Sequence, residues 1–526
     1  MIVQSVYRAV GIVVVLTALF VAVPVGIRGE VPKLWGSLQA GEYAVGFRTL
    51  EAYDSSRTFG PKKDYFGNPA GGEHTRPIQA MIWYPAAPDA DGVPMTVSEY
   101  VTPSPVNNAL YQHITAMSRI YVGALFRAMG NAGGRVLDAN NLPVMAVRDA
   151  DPAEDRFPLL VYFANPANGY LDNFVLCEYL ASHGFVVMAT HAYGASTYAI
   201  MQREQVHLEA ITRDMEYCLP MVRRLPYVAA DNLGVIGVAG GAQTAWILQM
   251  RNYDVEVLVT LDGTHLMEGL APLLMASGFF DPTRAVVPSL QIRQEGIREP
   301  DYRSLDSCRY GDRTLVTMGD SASPIFTCYG GLLRILQDTL GTEANPLSAH
   351  YRLMIRYVHS FLETHLNDNP QNTDWFTETG PWPESVAEVT VRPAEEIPPT
   401  PEQFMAIINA YGMDRAVEVY ERFRQSAPGS ITFPEANMNA VAYNFLQGGR
   451  VNEALEAFRM NTETYPLSPN VWDSYADGLT AVGDTARALD CYRQVLQLLP
   501  QDTVTAAGLR ETLRANAERA LGNLTQ

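Results

Sequence analysis

The sequence is short of the residues that mark several kinds of site. Five cysteines are spread over 526 residues with no Cys-x-x-Cys pair and no ligand spacing. That excludes a disulfide framework and a cysteine zinc site, and leaves only a Cys308–Cys328 pairing in an oxidising compartment as an open question. Nine histidines are scattered and none forms His-Glu-x-x-His, so neither a metal nor a cofactor is expected. Basic residues are scarce as well: 38 Lys and Arg stand against 57 Asp and Glu, a net charge of −19. Such a chain is a poor partner for nucleic acid or an anionic lipid surface. No Gly-x-Ser-x-Gly occurs anywhere in the chain.

What is present is a long globular composition, with 47% apolar residues, enough for two or three domains. The start carries Arg8 ahead of an uncharged apolar run from Ala9 to Ile27. That run reaches about 28 Å as a helix, enough to cross a bilayer core. A secretory signal shares the charge-then-apolar design, but no clean small-x-small cleavage site follows. Residues 1–30 are therefore expected to be an anchoring transmembrane helix or a signal, with the body of the chain outside the cytoplasm, periplasmic or extracellular.

From about residue 41 to 370 the pattern is that of one α/β domain. Two β-rich segments, Tyr43 to Tyr53 and Arg76 to Ala86, suit outer strands, and a polar, helix-compatible insertion covers about 87–155. Apolar runs then alternate with helical patterns: "FPLLVYFA", "FVVMATHA", "NLGVIGV", "VEVLVTLDG", "PSLQIRQEG" and "RTLVTMGD". Runs this apolar are buried on both faces, which implies a mostly parallel sheet between helix layers, a three-layer sandwich. The proline-rich 389–401 reads as a linker. In 402–526, Met438, Ala442, Gly449, Ala454, Phe458 and Pro466 recur 34 residues later as Trp472, Ala476, Gly483, Ala488, Tyr492 and Pro500. Small and aromatic residues at one fixed offset are what stacked helical hairpins need. The pattern resembles a tetratricopeptide repeat, with Ala416, Tyr420 and Pro428 in an earlier, looser unit.

The segment "NLGVIGVAGGAQTAWIL" has an apolar strand, a turn of small residues and a helix-compatible continuation. This is the layout of a nucleophile elbow, with alanine where serine belongs. Together with "VGFRTLEAYDSSR", "IWYPA", "EYLASHGFVVMATHAYG", "LVTLDG" and "SFLETHL", it makes residues 42 to 366 resemble the platelet-activating-factor acetylhydrolase-like and dienelactone-hydrolase-like branch of the α/β-hydrolases. The resemblance implies a Ser-Asp-His triad acting on small esters. Matched position by position, the nucleophile falls on Ala239, the acid on Asp262 and the base on Ser323. The oxyanion loop falls on Asn165 and Pro166, and a proline has no N–H to donate. Only the acid keeps its chemistry.

The expectation is a catalytically degenerate hydrolase-fold protein acting as a scaffold, accessory or binding subunit, with protein partners held by the helical repeats and the membrane by the N-terminal helix. An active esterase using rewired residues (Ser321, Ser323 or Cys328 with His191, His265 or His350) is the alternative. A binder of a small acyl ligand in a remnant pocket of Asn165, His191, Ala239, Asp262 and His265 is a third reading.

Overall fold

The computed structural model describes residues 31–60, 63, 66–69, 75–87, 92–101, 141–165, 172–192, 194–195, 205–296, 299–319, 326–337, 345–426 and 429–524. The chain divides into two compact units, Met1–Glu395 and Glu396–Gln526.

The first unit is built on an 11-stranded sheet of order β11-β10-β9-β8-β7-β5-β6-β2-β1-β4-β3. The strands are β1 (Ala44–Thr58), β2 (Thr75–Ala86), β3 (Pro94–Thr96), β4 (Pro143–Arg148), β5 (Phe157–Phe163), β6 (Val186–Thr190), β7 (Val228–Val238), β8 (Val255–Leu261), β9 (Ser289–Gln294), β10 (Arg313–Met318) and β11 (Val386–Arg392). From β6 through β5, β7, β8 and β9 to β10, every pairing is parallel. Beside β6 run β2 and then β1, each antiparallel to the strand before it.

Helices cover both faces because the inner strands are apolar on both. In β5, Phe157, Leu159, Val161 and Phe163 enter one core, and Leu160 and Tyr162 enter the other. This alternation is the period-2 geometry of a strand. Helices α1 (Val97–Val101), α2 (Phe174–Ser182), α7 (Tyr329–Gln337) and α8 (Ala349–Leu366) supply residues to the Leu160 side. The opposite side receives α3 (Gln205–Val222), α4 (Gly241–Arg251), α5 (Ala271–Met275) and α6 (Arg303–Ser307).

Several expectations change. The N-terminal transmembrane helix is not supported: among the described residues no helix is long and apolar enough to cross a membrane, and the run from Ala9 to Ile27 lies outside them. The 18-residue helices α3 and α8 carry Arg213, Asp214 and Glu216, and Arg352, Arg356 and Glu363, along their length. The two β-rich segments are not at the sheet's edge, because the insertion adds two strands beyond them, β4 parallel to β1 and β3 antiparallel to β4. The segment read as a linker starts inside β11, whose alternating "VAEVTVR" pairs antiparallel with β10. Cys308 and Cys328 lie in the cores on opposite faces of the sheet, and all five cysteines are free.

The second unit is helical: α9 (Pro401–Tyr411), α10 (Met413–Ser426), α11 (Glu435–Gln447), α12 (Val451–Thr464), α13 (Pro469–Ala481), α14 (Thr485–Leu498) and α15 (Ala507–Leu524). The starts of α11 and α13 differ by 34 residues (469 − 435), as do those of α12 and α14 (485 − 451). Ala442, Ala454, Ala476 and Ala488 are completely buried, and Phe458 and Tyr492 fill the same place in successive hairpins. Thr400 opens the unit with a capping box, its hydroxyl taking the Gln403 N–H and the Gln403 side chain returning to the Thr400 N–H.

Candidate functional site

The carboxyl ends of the parallel strands are where an open α/β sheet places its site. At the end of β7 the chain turns through Ala239 and Gly240 into α4. Ala239 has φ +49°, a left-handed conformation that costs a residue with a Cβ about 1–2 kcal/mol. Packing leaves the turn no alternative. A Cβ on Gly237 would lie 2.6 Å from Ala242 Cα, and one on Gly241 would lie 2.3 Å from the Phe163 carbonyl oxygen. The strand end thus lies too close to the first turn of α4, and that turn too close to the end of β5, for a side chain at either glycine. Hydrogen bonds hold the turn in place: the Ala239 N–H donates to Leu261 O (2.9 Å), and the Thr264 N–H donates to Ala239 O (3.0 Å). The turn has the strained strand-to-helix geometry of a nucleophile elbow, and the residue at its bend carries only a methyl group.

Asp262 follows β8 directly beside this turn, with φ +47°, and its N–H donates to Ile292 O (2.7 Å). Ala239 and Asp262 are both partly exposed, so the two ends open on the same rim of the sheet. Asn165, half-buried after β5, borders them in strand order. Pro166, Ser321 and Ser323 lie outside the described residues.

His265 does not belong to this rim. It is fully buried, because the short helical turn Thr264–Leu266 rolls it inward against Trp246. Its Nε2 lies 2.9 Å from Gln291 Oε1, which also accepts from the Thr260 hydroxyl. An acceptor there means Nε2 carries the proton. Burial pushes the imidazole down to about 4, so it stays neutral as a core residue. His191 stands at the end of β6 with Nε2 3.3 Å from Gln79 Oε1 of β2, on the side of β6 away from β5 and β7. Cys328 is buried in the Leu160-side core, and burial raises its thiol far above the ordinary range, which suppresses the thiolate a nucleophile requires. His350 sits in the first turn of α8. The elbow residue itself carries no hydroxyl or thiol, and the Thr264 hydroxyl beside it donates to Ala239 O at 3.4 Å.

Two buried polar clusters were not anticipated from the sequence. Glu178, in the middle of α2, is completely buried. It accepts from Trp35 Nε1 (3.0 Å), the Tyr100 hydroxyl (2.8 Å) and the N–H groups of Met145 (3.1 Å) and Ala146 (3.3 Å). These donors favour the anion, but desolvation outweighs them and lifts the carboxyl to about 7. The second cluster joins Arg76, fully buried on β2, to Asp214 of α3 in a bidentate pair at 2.6 and 2.5 Å. Arg76 also donates to Gly194 O (2.8 Å) and Ala195 O (3.2 Å), fixing the loop after β6 that borders the rim. A lone charge inside an apolar run, Glu178 in "FVLCEYLAS" or Arg76 ahead of "PIQAMIWY", is the sequence signal for such clusters.

No family model and no curated protein matches this sequence. Among solved structures, a ferulic acid esterase from Streptomyces cinnamoneus is similar, with TM-score 0.46 and 20% identity over 68% of this chain and 98% of that one. The strand order and the elbow themselves define the class: the first unit has an α/β-hydrolase-like fold, and the second is an array of helical hairpins.

Proposed function

We propose that this chain is a hydrolase-fold protein without serine-type ester hydrolysis, exported from the cytoplasm, that serves as an accessory or binding subunit in a protein assembly. The observation that carries this reading is Ala239. The elbow is kept in its strained form, with Gly237 packed against the first turn of α4 and Gly241 against the end of β5, while the atom that would attack an ester is absent. In enzymes of this kind, removing the serine alone lowers turnover by about 10⁶. The hairpins of the second unit, read as tetratricopeptide-like, supply the partner surface, since such stacks expose the first helix of each pair along a groove.

Short-chain p-nitrophenyl esters test the first part. Turnover no faster than with an inert protein, and no labelling by a fluorophosphonate probe, are the expected results. Hydrolysis abolished by substituting Ser321, Ser323 or Cys328 would establish a rewired esterase instead. For the second part, partners retained in a pull-down after deletion of residues 396–526 would reduce the hairpins to a structural appendage.

A further inference from the structure

Glu178 gathers three stretches that lie far apart along the chain. Its Oε2 accepts from Trp35 in the helical turn Lys33–Trp35, ahead of the sheet. Its Oε1 accepts from the Tyr100 hydroxyl of α1 and from the Met145 and Ala146 N–H groups of β4. Those two elements are the described ends of the insertion, and the Val97 N–H ties them together at Leu142 O (3.0 Å). The Tyr100 hydroxyl in turn takes the Trp83 Nε1–H of β2 at 2.8 Å, so the same carboxyl is linked to the sheet.

The ladders around this point are short. β4 meets β1 over three residue pairs, Val45–Phe47 against Ala146–Arg148, and β3 beyond it is the edge of the sheet. In the middle of the sheet β5 meets β7 over seven. Residues 31–38 contribute no strand, and Ser37 ties them to Asn345. Short elements at an edge open at lower free energy than a central ladder. Among the described residues no cation pairs with Glu178. The titratable groups acting on it are Tyr100, Cys177 of its own helix, Cys328 ahead of α7 and Tyr351 of α8, and burial holds all four neutral where a carboxyl titrates. Its anion is therefore balanced by hydrogen bonds alone, and desolvation lifts the carboxyl to about 7.

We infer that Glu178 is a proton-controlled joint: residues 33–38, α1 with β3, and β4 open together as one unit, more often as its carboxyl ionises, while β5 to β10 stay closed. The closed joint holds a proton that the open one releases. Its stability is therefore fully present below pH 4.5, the ordinary value, and is lost as pH rises through 7. Opening uncovers Phe47, Trp83 and Phe174, whose rings pack around Tyr100 at centroid distances of 5.0, 5.7 and 5.1 Å. Passing neutrality thus changes which surface the hydrolase-like unit presents.

Amide hydrogen exchange of the full chain, read by mass spectrometry from pH 5 to pH 8 and corrected for intrinsic exchange, tests this. Amides in 33–38, 95–100 and 143–148 are expected to share one protection factor, about tenfold or more below that of β7 and β8. That shared factor should fall about 70-fold between pH 5 and pH 8, and Glu178→Gln should remove the fall. Tyr100→Phe keeps the ring and deletes a donor to the anion, so it should open the joint more at pH 8 than at pH 5; it serves as the test if Glu178→Gln does not fold. Three results would each overturn the inference. Different protection factors in the three stretches would mean that they do not open as one unit. Protection equal to that of β7 and β8 would mean that they leave only when the whole unit unfolds. A shared factor that does not change with pH in the native chain would mean that ionisation of Glu178 does not control the opening.

Discussion

Glutamine in place of Glu178 is expected to remove a large part of the pH dependence of stability of the hydrolase-like unit. The carboxyl rises from 4.5 in an unfolded chain to about 7 in its buried position. Because the folded pKa is the higher one, the folded state holds a proton across this window that the unfolded state has released. The contribution is fully present below pH 4.5 and is lost as pH rises through 7. At roughly 1.4 kcal/mol per pH unit of displacement, the full effect is about 3 kcal/mol, of which about 2.5 kcal/mol falls between pH 5 and pH 8. Urea unfolding followed by tryptophan emission reads mainly the right unit, since Trp35, Trp83, Trp246, Trp375 and Trp382 precede Glu395 and Trp472 alone lies in the second unit. Glutamine keeps one accepting oxygen but turns an amide N–H₂ toward either Trp35 Nε1 or the Tyr100 side, so the variant starts with a fixed deficit. The informative quantity is therefore the native-minus-variant difference in unfolding free energy at each pH. It should fall by about 2.5 kcal/mol from pH 5 to pH 8. Parallel curves for the two proteins, within about 0.5 kcal/mol at the precision of such extrapolations, would refute the claim that desolvation outweighs the four donors.

Three further outcomes are expected. Gly241→Ala, whose Cβ meets the Phe163 and Ala164 carbonyl oxygens at 2.3 and 2.5 Å, should destabilise by about 3 kcal/mol or more through overpacking; Gly278→Ala, with nothing within 4 Å, should leave the melting temperature within a degree or two. Arg76→Met should cost about 3–5 kcal/mol by leaving Asp214 buried with a weakened set of partners, and Arg76→Met with Asp214→Leu should recover part of it in the same denaturation assay. Ala239→Ser should restore a hydroxyl to the elbow without restoring turnover of p-nitrophenyl acetate, because the position matched to the base is Ser323, which has no imidazole; turnover above that of the native chain would show that another base serves.

The parts legible in the sequence were those whose physics is local. Buried parallel strands reveal themselves as apolar runs, the elbow as glycines on both sides of a short turn, and the hairpins as a fixed offset of small and aromatic residues. The parts that were misread depend on partners far along the chain. β11 resembled a linker because its prolines follow immediately, while its alternating "VAEVTVR" acquires meaning only beside β10, some 70 residues earlier (386 − 318 = 68). The insertion looked polar and helical, yet "PVMAVR" is drawn into the sheet by β1. Cys308 and Cys328 are near in sequence, but β10 passes between them and leaves them on opposite faces of the sheet.

Site residues divide along the same line. Ala239 and Asp262 were placed by backbone geometry, which glycine spacing and strand ends encode. His265 was assigned to the rim because it stands three residues after Asp262, and distance along the chain says nothing about which way a short helical turn rolls a side chain. Its burial beside Trp246 and Gln291 is decided by β9, a strand that the local pattern does not mention. Glu178 is the opposite case. Its charge in an apolar helix was visible, but the donors that make it tolerable come from Trp35, 143 residues earlier, and Tyr100, 78 earlier. Both cases are decided by partners that the local pattern does not name. The protein keeps titratable groups buried where they brace the fold, at Glu178, Asp214 and His265, and holds the strained turn after β7 with only a methyl group on it.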